Sequence, residues 1–172
     1  IIACGTGATG AIDKLQQILG VALPPPTRRA VGELLREFVG DDQFGKFQHF
    51  HRARQTVVFV GPYEHHSNEV TWRQGLATVV EVNLAPDGGV DLEHLEKLLK
   101  DPAYQGRLRI GSFSAASNVT GMRSPVSRIA RLLHAHGAYA CFDYAASAPY
   151  VEIDMNPDPG PEGGDPAIDA IF

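Results

Sequence analysis

Apolar and polar positions change period from segment to segment, and the changes predict alternating strands and helices. Short apolar runs at Ile1–Cys4, Thr56–Val60, Ala77–Leu84, Arg107–Phe113, from Ala138 into Asp143, and from Ala167 to Phe172 read as strands. Helical spacing appears in Ala8–Leu19, Thr27–Val39, Ser67–Gln74, Leu92–Lys100 and Pro125–His136. Gly20 is placed to cap the first helix, and Pro24-Pro25-Pro26 reads as a break in the chain. Thr27 then serves as the next N-cap, with Leu34, Leu35 and Phe38 on one face of that helix. Ser67 and Asp91 are the caps of the two helices that follow. Gly40–Arg54 lacks a period and reads as a loop, as does the Pro-, Gly- and acid-rich stretch Asn156–Asp165. Strands alternating with helices predict an α/β fold, a mostly parallel sheet with helices on both faces.

Composition narrows the function classes. With 44% apolar and 20% charged residues, the chain has an ordinary globular balance and length enough for one core. A formal charge of -5 argues against nucleic acid, which needs clustered Lys and Arg. No apolar run is long enough to span a bilayer, and no signal peptide is present, so no membrane partner is expected. The two cysteines, Cys4 and Cys141, fall inside predicted strands; they exclude a disulfide framework and fit a reducing, cytoplasmic setting. Both are read as packing residues, although Cys4 also precedes a helix start. Both termini lie inside apolar runs, and the chain is expected to be a fragment of a longer protein.

Chemistry concentrates at the predicted strand ends, where open α/β sheets bind ligands. Gly5-Thr6-Gly7-Ala8-Thr9-Gly10 matches G-x-G-x-x-G between a strand and a helix. Its physical content is an anion site, made of free amides at a helix start and threonine hydroxyls. The dinucleotide reading also requires an acidic residue ending a second strand some 20 residues on. That region, Pro24–Phe38, reads as loop and helix, with Glu33 and Glu37 on the helix. A Gly-rich turn that only packs is the plainer alternative. A P-loop is excluded because no Gly-Lys-Ser/Thr follows.

His65 and His66 follow the Thr56–Val60 strand after a Gly-Pro turn. Adjacent histidines are poor co-ligands for one metal, and no matching Cys or carboxylate spacing supports zinc, so no metal is expected. Either they are solvated turn residues or one imidazole lies flat against a planar ligand. His134 and His136 read as partners of a helix dipole only. Asp143, at the end of an apolar strand and followed by small residues, is positioned to meet a ligand cation.

Four segments in order carry a family resemblance: Gly-Thr-Gly-Ala-Thr-Gly-Ala-Ile, Glu-His-His-Ser-Asn-x-x-x-Trp, Ser-Asn-Val-Thr-Gly and Phe-Asp-Tyr-Ala. Together they resemble fold-type I pyridoxal-phosphate enzymes, specifically the class V aminotransferase group that includes cysteine desulfurases and selenocysteine lyases. The resemblance implies pyridoxal 5'-phosphate as cofactor and roles for individual residues. Gly7, Ala8 and Thr9 would cradle the phosphate. His65 would stack on the ring, and Asn118 would lie near the ring hydroxyl. Asp143 would pair with the pyridine nitrogen, keeping it protonated so that the ring accepts electrons. His65 and Asp143 are thus the expected catalytic residues. A small amino acid is the implied substrate, with lyase or transferase chemistry at Cα or Cβ, in a full-length homodimer.

Two departures stand out. Where desulfurases of this group usually carry a glutamine beside the ring hydroxyl, this chain has Ala146, leaving that contact missing or supplied by a neighbour such as Ser147. The family's Schiff-base lysine follows a Ser-x-His beyond the strand near Ala167, whereas this sequence ends at Phe172. Lys14, Lys46, Lys97 and Lys100 all fall on predicted helix or loop. The chain is therefore expected to be the central part of the large domain, without the N-terminal arm, the lysine segment and the C-terminal small domain, and inactive alone. Two rivals stay open: an NAD(P)-dependent oxidoreductase built on the Gly-rich loop, and a non-catalytic α/β binding module.

Overall fold

The computed structural model describes residues 5–172. The predicted strand Ile1–Cys4, and Cys4 with it, lie outside the described residues. The described chain runs α1 (Gly7–Ile18), α2 (Pro25–Val39), α3 (Asp41–Arg52), β1 (Thr56–Val60), α4 (His66–Gln74), β2 (Ala77–Glu81) and α5 (Leu92–Lys100). It continues through β3 (Arg109–Ser114), α6 (Val126–Ala135), β4 (Tyr139–Asp143) and β5 (Ala170–Ile171). The fold is α/β, and all five strands pair in parallel in the order β2-β1-β3-β4-β5.

Alternation along the strands feeds two cores. Val57, Phe59, Phe113, Ala140 and Phe142 pack with Leu95 and Leu99 of α5 and Ile129 and Leu133 of α6. Val58, Val60, Ile110 and Cys141 pack on the other face with Ile12 of α1 and Trp72 of α4. Both faces are thus covered, as a parallel sheet requires. Gly111 is needed at the centre of β3: a Cβ there would overlap Leu133 and the Phe113 ring. Cys141 is buried packing, its thiol pushed up to about 12 by burial, so it is not a thiolate nucleophile at neutral pH.

Several local expectations are corrected. The prolines do not break the chain; Pro25 and Pro26 form the first turn of α2 and Pro24 is its N-cap, in place of Thr27. Proline suits that turn because its missing N–H is one that has no helical partner there. Leu34 and Phe38 do not face a core: Phe38 is 88% exposed, and no residue of α2 is buried. Most of Gly40–Arg54, Asp41–Arg52, is helix α3, which packs on α2 with Phe44 next to Gly32 rather than on the sheet, hence its lack of a clean apolar stripe. The Ala77–Leu84 strand ends at Glu81, and Leu84 instead bridges Val90 across the turn. Of Ala167–Phe172, only Ala170–Ile171 is strand. His134 does more than face a dipole: its ring contacts Asp169 Oδ2 at 2.9 Å and the Asp165 carbonyl at 3.0 Å. No described helix is long and apolar enough to cross a membrane.

Candidate cofactor site at the sheet edge

The strand order creates the site. After β1 the chain turns to β2 through α4 on one face; after β3 it turns to β4 through α6 on the other. The carboxyl ends of β1 and β3 therefore part, leaving a crevice at the point where the order reverses. A cavity of about 280 Å³ sits there, lined by Thr9, His65, Ser67, Ser114, Ala116, Asn118, Asp143, Ala145 and Ala146. Its size suits a small ligand.

Asp143 ends β4 in register with Ser114 of β3 and is 5% exposed. Its Oδ1 accepts the Ala145 amide at 2.8 Å. No other hydrogen bond and no ion pair reaches its carboxylate among the described residues, and it is the one formal charge on the cavity wall. A buried carboxylate with so few partners favours a cationic or N–H group opposite it.

His65 is the N-cap of α4, the role expected of Ser67. Its Nδ1 accepts the Ser67 amide at 3.2 Å and lies 2.7 Å from Ser67 Oγ. An acceptor Nδ1 puts the neutral ring's proton on Nε2 and anchors the ring against the helix start. Asn118 tops a tight loop held by Ser117, whose Oγ accepts the amides of Val119 and Thr120 at 3.3 and 3.2 Å. Ala146 is on the wall, leaving the space a longer side chain would fill.

Helix α1 brings Thr9 to the same cavity. Thr6 precedes the helix at φ 71 and supplies no side-chain cap, so the first-turn amides have no side-chain acceptor there. Neither Gly7, at φ 66, nor Ala8 is on the wall; of the predicted phosphate cradle only Thr9 reaches it. Gly10 is required by packing, since a Cβ would overlap the Gly5 carbonyl and Thr6 Oγ1. Ser147 does not replace the missing glutamine, for it lines a different cavity. None of the four lysines lines the wall; Lys14, Lys46, Lys97 and Lys100 sit on α1, α3 and α5.

One supporting group escaped the reading of the sequence. The Glu64 carboxylate accepts the Gly61 amide at 3.1 Å, the Ser114 amide at 2.9 Å, Ser114 Oγ at 2.7 Å and Asn68 Nδ2 at 2.7 Å. It clamps the ends of β1 and β3 and the start of α4. Burial raises its pKa above the ordinary value, against the pull of the four hydrogen bonds. The signal available was the Glu64/Asn68 spacing of four at a helix start.

The sequence pattern of the family Aminotransferase class-V matches residues 46–157. The chain belongs to the class-V aminotransferase family. Among curated relatives of this class-V chain, a probable cysteine desulfurase of Halalkalibacterium halodurans is 35% identical over 102 residues, 57% of this chain and 24% of the relative. Another, from Chlamydia muridarum, is 41% identical over 93 residues, 52% of this chain and 22% of the relative. The class-V chain thus spans about a quarter of the length of these relatives. The apo structure of a cysteine desulfurase from Thermococcus onnurineus superposes with a TM-score of 0.51 at 25% identity, over 59% of this chain and 25% of that one. The oxidoreductase reading loses its required second strand, because Pro25–Val39 is helix α2.

Proposed function

We propose that this chain carries the cofactor-holding half of a pyridoxal-phosphate site, in an enzyme of cysteine-desulfurase or aminotransferase type acting on a small amino acid. The observation that carries it is the meeting of Asp143, His65, Asn118 and Thr9 on one cavity wall. The donor set fits the group. Asp143 offers a carboxylate oxygen to a pyridinium N–H, and the start of α1 with Thr9 offers amides and a hydroxyl to a phosphate. His65 would pack against the ring and Asn118 would meet its hydroxyl.

Bound there, the cofactor supplies an electron sink for bonds broken at the amino acid's α-carbon. The chain's own residues do the rest. Asp143 keeps the proton on the ring nitrogen, His65 restrains the ring, and the α1 amides orient the phosphate. The Glu64 clamp fixes the crevice so that these groups stay in place. None of the four lysines of this chain lines the cavity, so none of them is assigned to moving the α-proton. A cytoplasmic homodimer for the whole enzyme belongs to the same reading, supported by the family resemblance alone.

Titration of the chain with pyridoxal phosphate, followed by cofactor absorbance and thermal melting, tests the reading. A saturable spectral change with a raised Tm supports it; neither change overturns it.

A further inference from the structure

The segment after β4 separates two cavities. Asp143, Ala145 and Ala146 face the first, whereas Tyr144 and Ser147 line a second of about 430 Å³ beyond it. The second cavity is bounded by the start of α6, including Ser127 and Arg128, by Arg123 from the preceding loop, and by Glu152. We infer that this second cavity is a binding site for a small oxyanion, a phosphate or carboxylate group, held by Arg123, Tyr144 and the first amides of α6.

Two observations point to it. First, α6 has Pro125 as N-cap, so no side chain caps it. The Val126 amide bonds Ser124 O and the Ile129 amide bonds Pro125 O, while those of Ser127 and Arg128 have no acceptor among the described residues. Two free amides at the start of a ten-residue helix form an anion cradle. Second, Tyr144 is 7% exposed and lines the cavity, yet its hydroxyl makes no hydrogen bond among the described residues. The ring is packed away while the hydroxyl oxygen stays open to the cavity, free to donate to an acceptor held there. Burial raises its pKa and the Arg123 charge opposes that rise, as expected of a guanidinium close to the hydroxyl.

Charge balance is compatible. Arg131 is engaged by Glu162 at 3.2 Å and by the Gly163 and Pro159 carbonyls at 2.9 Å each. Arg123 and Arg128 have no ion-pair partner among the described residues, and Glu152 is the one unpaired carboxylate on the wall. Arg123, Arg128 and Arg131 against Glu152 and Glu162 leave one net positive charge beside the helix start. The site stands independently of the cofactor reading, since it shares no lining residue with the first cavity.

The test is an amide NMR titration of the full chain with inorganic phosphate and, separately, acetate, each against sodium chloride at matched ionic strength. Saturable shifts at Ser127 and Arg128, with Kd raised about tenfold or more in Arg123→Ala and raised in Tyr144→Phe, support the inference. Response to phosphate alone assigns a phosphoryl ligand, to acetate alone a carboxylate, and to both an unselective oxyanion site. Shifts matched by chloride, or affinities unchanged in both variants, overturn it. Asp143→Asn is expected to leave these shifts intact, which separates failure of this site from failure of the cofactor site.

Discussion

Glu64 holds Ser114 twice, through Oε1 on the backbone amide at 2.9 Å and Oε2 on the hydroxyl at 2.7 Å. Ser114 pairs in register with Asp143, so the clamp on β3 also sets where the Asp143 carboxylate lies. Removing it exposes four donors to a buried gap. Glu64→Ala is expected to cost about 2–4 kcal/mol in denaturant unfolding. Glu64→Gln keeps one acceptor oxygen but sets its amide near that of Asn68, and should cost about 1–2 kcal/mol.

Glu64 also gives a pH signature. Its folded pKa is raised, so the folded chain holds this proton more tightly than the unfolded chain. Its contribution is full below the ordinary glutamate range and is lost as pH climbs from there through the raised value. Unfolding free energies measured across that window should lose this slope in Glu64→Gln.

His134 behaves as a base tied to two acids. Burial, the largest single influence, pulls its pKa down, but Asp169 and Asp165 together pull it up. The stabilisation is therefore complete below about 6.5 and is lost as pH rises through the folded value. Melting curves of His134→Gln should show a smaller loss of stability above neutral pH than the parent chain.

Gly111 leaves room for Leu133 of α6. Gly111→Ala should cost about 1–3 kcal/mol by overpacking, read as a lowered denaturation midpoint. Leu133→Ala is itself costly because Leu133 is fully buried, but the double variant should cost less than the two single changes added together.

Much of this architecture is legible in the chain, because buried parallel strands leave apolar runs and their helices leave a 3.6 period. Thr56–Val60 and the Asp91 cap needed no tertiary information, and Gly20, at φ 69, ends α1 one residue past its Leu19 C-cap. Helix α2 is legible apart from its proline start, whereas α3 hides its identity for a physical reason: it packs on α2 outside the sheet, so its apolar residues are scattered and largely exposed. The cavity residues Thr9, His65, Asn118, Asp143 and Ala146 stand out because each follows a strand or opens a helix at the same sheet edge. Glu64 was hidden because its partners Gly61 and Ser114 meet only when β1 and β3 pair.

Ala146 is expected to limit affinity for the cofactor. A glutamine there reaches into space the wall leaves open. If the ring hydroxyl lies against it, Ala146→Gln should tighten pyridoxal phosphate about three- to tenfold, the equivalent of one added hydrogen bond. Calorimetric titration of both chains provides the comparison.

The pairing at Asp143 is reached most directly by calorimetric titration of pyridoxal phosphate into the parent chain and into Asp143→Asn, near neutral pH. Saturable binding by the parent, weakened about tenfold or more in the variant, is the expected result. Equal affinity in the two chains, or no saturation in the parent, would contradict it.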